Sequence, residues 1–196
     1  MSLLLEWTLA GWTLLALCWW AIAIGLVACE RYRCCGRRVS GSRARPSVSI
    51  FKPIAPLREE APPPSLVRAL ETFVRELDDA AEMLLGIEEN DASKWQPVID
   101  CWRRGYPRAR LKPITALRPA QFLSPKVSWF QRLSEHATGE YWMWSDTDII
   151  APPGFLDVMR QELMDGRTGL VTCPYVVRKI EHTPMMLEAL FANVEF

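Results

Sequence analysis

A layered α/β fold with a mostly parallel sheet, preceded by one apolar N-terminal helix, is what this sequence predicts. Two observations give the α/β fold. Short apolar runs alternate with stretches of helical spacing, in the order β-α-β-α-β-α-β-α-β-α. The runs end in charged or turn-forming residues, as strands do at a sheet edge. A third observation gives the leader: Trp7 to Cys29 is a run of 23 residues without one charge.

The first strand is Val48-Ser-Ile-Phe51, ended by Lys52-Pro53, because proline cannot continue a central strand. A loop rich in Pro and Glu follows, and Ser65 is the expected N-cap of a helix over about 66–77. Its apolar positions Leu66, Leu70, Phe73, Val74 and Leu77 keep helical spacing. The run Glu82 to Ile87 is a second strand, ending in Glu88, Glu89, Asn90 and Asp91. A helix over about 94–104 carries Trp95, Val98, Ile99 and Trp102, and a weaker strand covers 109–115. Ser124-Pro125 opens a helix to about His136, with proline at the first helical position. Tyr141-Trp-Met-Trp144 is expected as a buried central strand. A helix over about 155–165, a strand at Leu170–Val177 and a helical stretch from Thr183 to Phe196 complete the pattern.

Charge divides the chain into three parts: 1–30, an apolar segment; 31–46, a basic linker; and 47–196, the folded domain. The 196 residues carry 23 basic and 23 acidic groups, a balance that argues against bulk binding to nucleic acid. The apolar segment holds only Glu6 and Glu30, and Arg31, Arg33, Arg37, Arg38, Arg43 and Arg45 follow without an acid. A helix over Trp7–Cys29 would cover roughly 34 Å, slightly more than a bilayer's hydrocarbon core. No basic n-region precedes the run, which argues against a cleaved signal peptide. The expectation is therefore one transmembrane helix, with the arginines and the folded domain on the cytoplasmic side. The six cysteines show no Cys-x-x-Cys pair and no matching His cluster, so a zinc site is not expected.

In a parallel α/β sheet, ligands gather beyond the carboxyl ends of the strands. Here those ends carry Lys52-Pro53, Glu89 with Asp91, and Asp146-Thr147-Asp148. Two carboxylates at i and i+2 on a turn can face one hard cation, Mg²⁺ or Mn²⁺, which keeps open positions for phosphate oxygens. Such a cation stabilises charge on a leaving diphosphate. The other reading of Asp-x-Asp is an ordinary solvated turn.

Val48-Ser-Ile-Phe-Lys-Pro53, Ser124-Pro-Lys-Val127, Ser145-Asp-Thr-Asp148 and Gly169-Leu-Val-Thr-Cys-Pro-Tyr175 occur in a telling order. In this the sequence resembles the ceramide-glucosyltransferase-like enzymes, family 2-type glycosyltransferases whose relatives modify lipids such as hopanoids. The resemblance implies a GT-A-like, Rossmann-like sheet with helices on both faces. It implies nucleotide-sugar binding, UDP-sugar above all, by Lys52, Pro53, Glu89, Asp91, Lys126 and Asp146. It implies a metal ion, Mg²⁺ or Mn²⁺, at Asp146 and Asp148, and a lipid acceptor at the membrane. The family has Asp where Glu89 stands, and two Asn where Ser128 and Trp129 stand.

The resemblance also implies an acceptor-side base and a Gln-x-x-Arg-Trp motif, both expected beyond Phe196, so no catalytic base is assigned. The function expected is transfer of a hexose to a lipid hydroxyl, metal-assisted and inverting. Because the donor half alone is present, the alternative is a truncated, inactive membrane protein that keeps only nucleotide and metal binding. A nucleotidyltransferase would share Asp-x-Asp but needs a Gly-rich phosphate loop, and Lys52-Pro-Ile-Ala-Pro56 has no glycine.

Overall fold

The computed structural model describes residues 7–8, 10–22, 25, 45–117, 124–164, 168–173, 177, 183–186 and 189. The chain divides into two compact units, Met1–Ser42 and Arg43–Phe196.

In the first unit the described residues 10–22 are helical, with Trp12 and Trp19 more than two-thirds exposed. Among the described residues no helix is long and apolar enough to cross a membrane. The expected span over Trp7–Cys29 is therefore not found as a described helix. Its last part and all the linker arginines except Arg45 lie outside the described residues.

The second unit is a parallel α/β sheet. Its elements run β1 (Val48–Pro53), α1 (Pro64–Glu76), β2 (Ala81–Glu88), a 3₁₀ turn (Glu89–Asp91), α2 (Ala92–Gly105), β3 (Arg110–Ala116), α3 (Pro125–Ser134), β4 (Tyr141–Trp144) and α4 (Phe155–Leu163). The strand order is β3-β2-β1-β4, and every pairing is parallel. Period-2 alternation sends neighbouring side chains to opposite faces. On one face Val48, Ile50, Met83, Leu85 and Ile87 pack with Leu70, Phe73 and Val74 of α1, Trp95 and Ile99 of α2, and Leu156 of α4. On the other, Phe51 and Leu84 pack with Leu133 of α3. The expected helices on both faces are thus present.

Two glycines mark close approaches. A Cβ on Gly86 would lie 2.7 Å from the Trp129 ring, so the indole sits directly on the β2 backbone. A Cβ on Gly139 would lie 2.6 Å from the Ser49 nitrogen, where nothing can give way.

Three expectations change. Helix α1 begins at Pro64, behind Pro63, and Ser65 lies inside its first turn. Proline is suited to that first turn, where its missing N–H has no partner to lose. Strand β4 is an edge strand among the described residues, not a buried central one: Trp142 is 55% and Trp144 62% exposed. Tyr141 and Met143 cover the large core, but on the opposite face α3 reaches only far enough for Phe130 to stack on Trp144 at 5.2 Å. Residues 170–173 and 177 of the expected fifth strand are not strand. Leu170 is 81% exposed, and Cys173 instead donates its S–H to Met159 Sδ of α4 at 3.0 Å. Residues 183–186 and 189 are helical, and the rest of that expected helix lies outside the described residues.

Candidate functional site

Because β2, β1 and β4 are adjacent and parallel, their carboxyl ends share one edge. Lys52-Pro53, the turn at Glu89–Asp91 and the segment Ser145–Asp148 all lie along it. The register pairs Phe51 with Trp144, so the chain leaves β4 into Ser145 beside Lys52.

Lys52 follows Val48 and Ile50 on the large-core face, and it is fully buried. Its ammonium donates to Ser145 Oγ at 2.9 Å and to the Asp146 carbonyl oxygen at 2.7 Å. It also stands 3.3 Å above the centre of the Phe73 ring. Burial pushes the Lys52 ammonium down to about 7, against the opposing pull of the nearby Asp146 and Asp148 carboxylates.

Asp146 and Asp148 are exposed. The Asp146 carboxylate pairs with the Lys126 ammonium from the first turn of α3. Beyond Asp148 the segment is tied to α1: Ala151 N–H donates to Thr72 Oγ1 at 2.9 Å, and Glu76 accepts the Gly154 and Leu156 N–H groups at 3.0 and 3.3 Å. Those last two bonds satisfy the N-terminus of α4. The aspartate pair is thus anchored on both sides, with both residues exposed and the Asp146 carboxylate held by Lys126.

Glu89 is exposed and lines an open cleft of about 510 Å³ with Ala116, Leu117, Ser128, Gln131, Arg132 and Glu135. Asp91 is turned inward, 6% exposed. Its carboxylate accepts the Leu57 N–H at 2.8 Å and lies 3.2 Å from Lys94, joining the loop after β1 to α2. Pro53 is half-buried and closes β1.

Among the described residues no group of three or more His, Cys, Asp or Glu side chains could hold a metal ion. The described residues therefore build no self-sufficient protein cage. The pair Asp146 and Asp148 fits the other way a hard cation is held, by one or two carboxylates together with phosphate oxygens and water. Asp146 would then exchange Lys126 for the cation.

Sequence reasoning missed Thr72, Phe73 and Ser145 as supports of this edge. Phe73 and Ser145 were visible as a core position and a turn residue, but nothing marks Thr72 among α1 residues before folding brings it to Ala151. The burial of Lys52 did have a signal, its alternation with Val48 and Ile50.

A solved mannosyltransferase, PcManGT from Pyrobaculum calidifontis in complex with GDP-Man and Mn²⁺, is similar in structure, with a TM-score of 0.48 and 17% sequence identity. The similarity covers 81% of this chain and 47% of that one, so the chain spans about half of the mannosyltransferase's length. No curated protein sequence matches the chain. The profile of glycosyl transferase family 21 matches residues 13–196, nearly the whole length, and the chain belongs to that family.

Proposed function

We propose that this chain binds the donor of a glycosyltransferase that moves a hexose from a nucleotide diphosphate sugar to a lipid hydroxyl. One observation carries the proposal. In a chain of glycosyl transferase family 21, two exposed aspartates, one of them paired with a lysine, lie just past the ends of the parallel strands.

Asp146 and Asp148 would hold Mg²⁺ or Mn²⁺ together with the diphosphate. When bound, the cation stabilises negative charge on the departing nucleotide. Lys126, released from Asp146, adds a second positive group beside the phosphates. Glu89 and the adjacent cleft would receive the nucleoside, with Glu89 as acceptor for a ribose hydroxyl or base N–H. Pro53 and Asp91 shape this edge from below. Inversion at the sugar carbon follows if an acceptor hydroxyl attacks opposite the diphosphate, with a base taking its proton.

The membrane part of the proposal rests on the uncharged run Trp7–Cys29 and the arginines after it. These would tether the domain on the cytoplasmic side, where a lipid hydroxyl is within reach.

Calorimetric titration of the purified chain with UDP-sugars and Mn²⁺ tests the reading. Binding should tighten when the metal is present, and Asp146→Asn should lose that gain. Equal affinity in both proteins, with or without Mn²⁺, removes the metal assignment. Incubation with labelled donor and a lipid acceptor then measures transfer.

A further inference from the structure

We propose that Lys52 is a positioning residue: it fixes the acidic turn through its main chain and does not touch the donor. The proposal rests on the donor-binding reading above for its purpose, but its geometry stands alone.

An ammonium has three N–H groups and no acceptor. The Asp146 carbonyl oxygen at 2.7 Å and Ser145 Oγ at 2.9 Å take two of them. The Phe73 ring, 3.3 Å from the nitrogen, covers the remaining side. The side chain is 0% exposed, so no direction is left from which a phosphate could approach. Lys126 makes the contrast. It reaches the same turn from α3 with 49% of its side chain exposed, and it meets a carboxylate. One lysine therefore serves the outer, ligand side of the turn and the other its underside.

The support is continuous. The Ser145 N–H reaches the Phe51 carbonyl oxygen at 3.4 Å, which extends the β1–β4 ladder by one rung. Lys52 holds the Ser145 hydroxyl and the carbonyl oxygen of Asp146. Past Asp148, Thr72 holds Ala151. Helix α1 supplies both the ring under Lys52 and the hydroxyl under Ala151, from consecutive residues. The spacing of the Asp146 and Asp148 carboxylates is thus set by fastenings outside the pair itself.

Three measurements on the full-length chain test this. In the first, the native protein is treated with an amine-reactive reagent and mapped by peptide mass spectrometry. In the free protein Lys126 should be modified and Lys52 should not, and Lys52 should stay unmodified when UDP and Mn²⁺ are added. Modification of Lys52 in the free protein, with protection by UDP, overturns the proposal. In the second, Lys52→Met keeps length and packing on Phe73 but cannot donate. Hydrogen exchange of the 145–148 amides should speed up while the β2 amides stay protected; unchanged exchange at the turn overturns the proposal. Should Lys52→Met fail to fold, Ser145→Ala removes one acceptor and is read in the same way. In the third, the metal-dependent part of UDP affinity in Lys52→Met should fall by about tenfold, the scale of one lost charged hydrogen bond. UDP affinity without metal should not change, whereas a phosphate-contacting lysine would lose both. A wild-type chain that binds no UDP with Mn²⁺ refutes the donor-binding reading, and the labelling and exchange results still decide the role of Lys52.

Discussion

Glu82 accepts the Thr138 main-chain N–H at 2.6 Å, although 56 residues separate them. The contact joins the start of β2 to the loop that delivers β4. The same carboxylate accepts from Ser49 Oγ at 2.6 Å and Thr138 Oγ1 at 2.9 Å, and it lies 2.7 Å from Lys112 Nζ. Gly139 N–H then donates to Ser49 Oγ at 2.8 Å, so one buried acid sets where β4 begins beside β1. This network is at the opposite end of the strands from the aspartate pair.

Burial alone would raise the Glu82 pKa, but the bonds from Lys112, Ser49 and Thr138 outweigh it and hold the carboxyl at about 2, against an ordinary 4.5. A depressed carboxyl stabilises the fold above its unfolded pKa and loses that contribution as pH falls through the folded one. Stability on the order of 3 kcal/mol is therefore expected to drain away between about pH 4.5 and 2. Glu82→Gln should be less stable at pH 7 and should flatten that acid limb. Urea midpoints from pH 7 downward measure both.

Gly139→Ala places a methyl 2.6 Å from the Ser49 nitrogen and 2.7 Å from the Val48 carbonyl carbon. Both are backbone atoms of a buried strand, so relief requires moving β1. A loss of about 1–3 kcal/mol or more is expected, read as a lower Tm. Gly86→Ala meets the Trp129 ring instead, and the double substitution Gly86→Ala with Trp129→Leu should recover part of the loss.

Arg160 of α4 is 3% exposed and grips Asp78 with two bonds of 2.6 and 2.8 Å, while its Nε donates to the Pro46 carbonyl oxygen at 3.1 Å. Arg160→Met leaves that carbonyl without this partner, and leaves the carboxylate with only the Ala80 N–H at 3.0 Å and Arg45 at 3.3 Å. Breaking a buried pair in this way costs about 3–5 kcal/mol, less here because Asp78 is partly open to water. Arg160→Lys should recover only part, since one ammonium cannot span both carboxylate oxygens and the carbonyl. Chemical denaturation of the three proteins ranks them.

The Lys126–Asp146 pair competes with a cation for the same carboxylate. Lys126→Gln should therefore raise affinity for Mn²⁺ alone, by a few-fold given that both partners are about half exposed. The same change should weaken binding of UDP once metal is present. Electron paramagnetic resonance of free Mn²⁺ reads the first effect and calorimetry the second. A gain in metal affinity without the loss in nucleotide affinity would confine Lys126 to charge balance.

The alternation of strands and helices was legible because it is local. Val48–Phe51, Glu82–Ile87 and Tyr141–Trp144 each announced a strand, and the structure finds β1, β2 and β4 there. Adjacency of their tips follows from a parallel order. What was not legible depends on partners distant in the chain. A lysine at a strand end looks the same in sequence whether it faces ligand or core, and only the Phe73 ring and the Ser145–Asp146 turn reveal which. Glu82 inside an apolar strand was a visible oddity, yet its partners come from three separate segments, β1, β3 and the loop before β4. Tyr141–Trp144 was read as central because tryptophan is apolar, but indoles also tolerate half-open positions on an edge. Leu170–Val177 had strand-like composition and finds no ladder among the described residues.

The sheet order has a bearing on how the protein is made. Strand β1 lies between its successor β2 and the much later β4. During synthesis β1, α1 and β2 can come together while the residues that follow are still inside the ribosome. The aspartates gain their foundation only once roughly 60 further residues, from the end of β2 to Asp148, have emerged and the chain has returned to β1, a slow closure for a polymer. Until then the buried ammonium has its ring but no oxygen to meet, so the edge that would bind ligand is among the last parts of the domain to take shape.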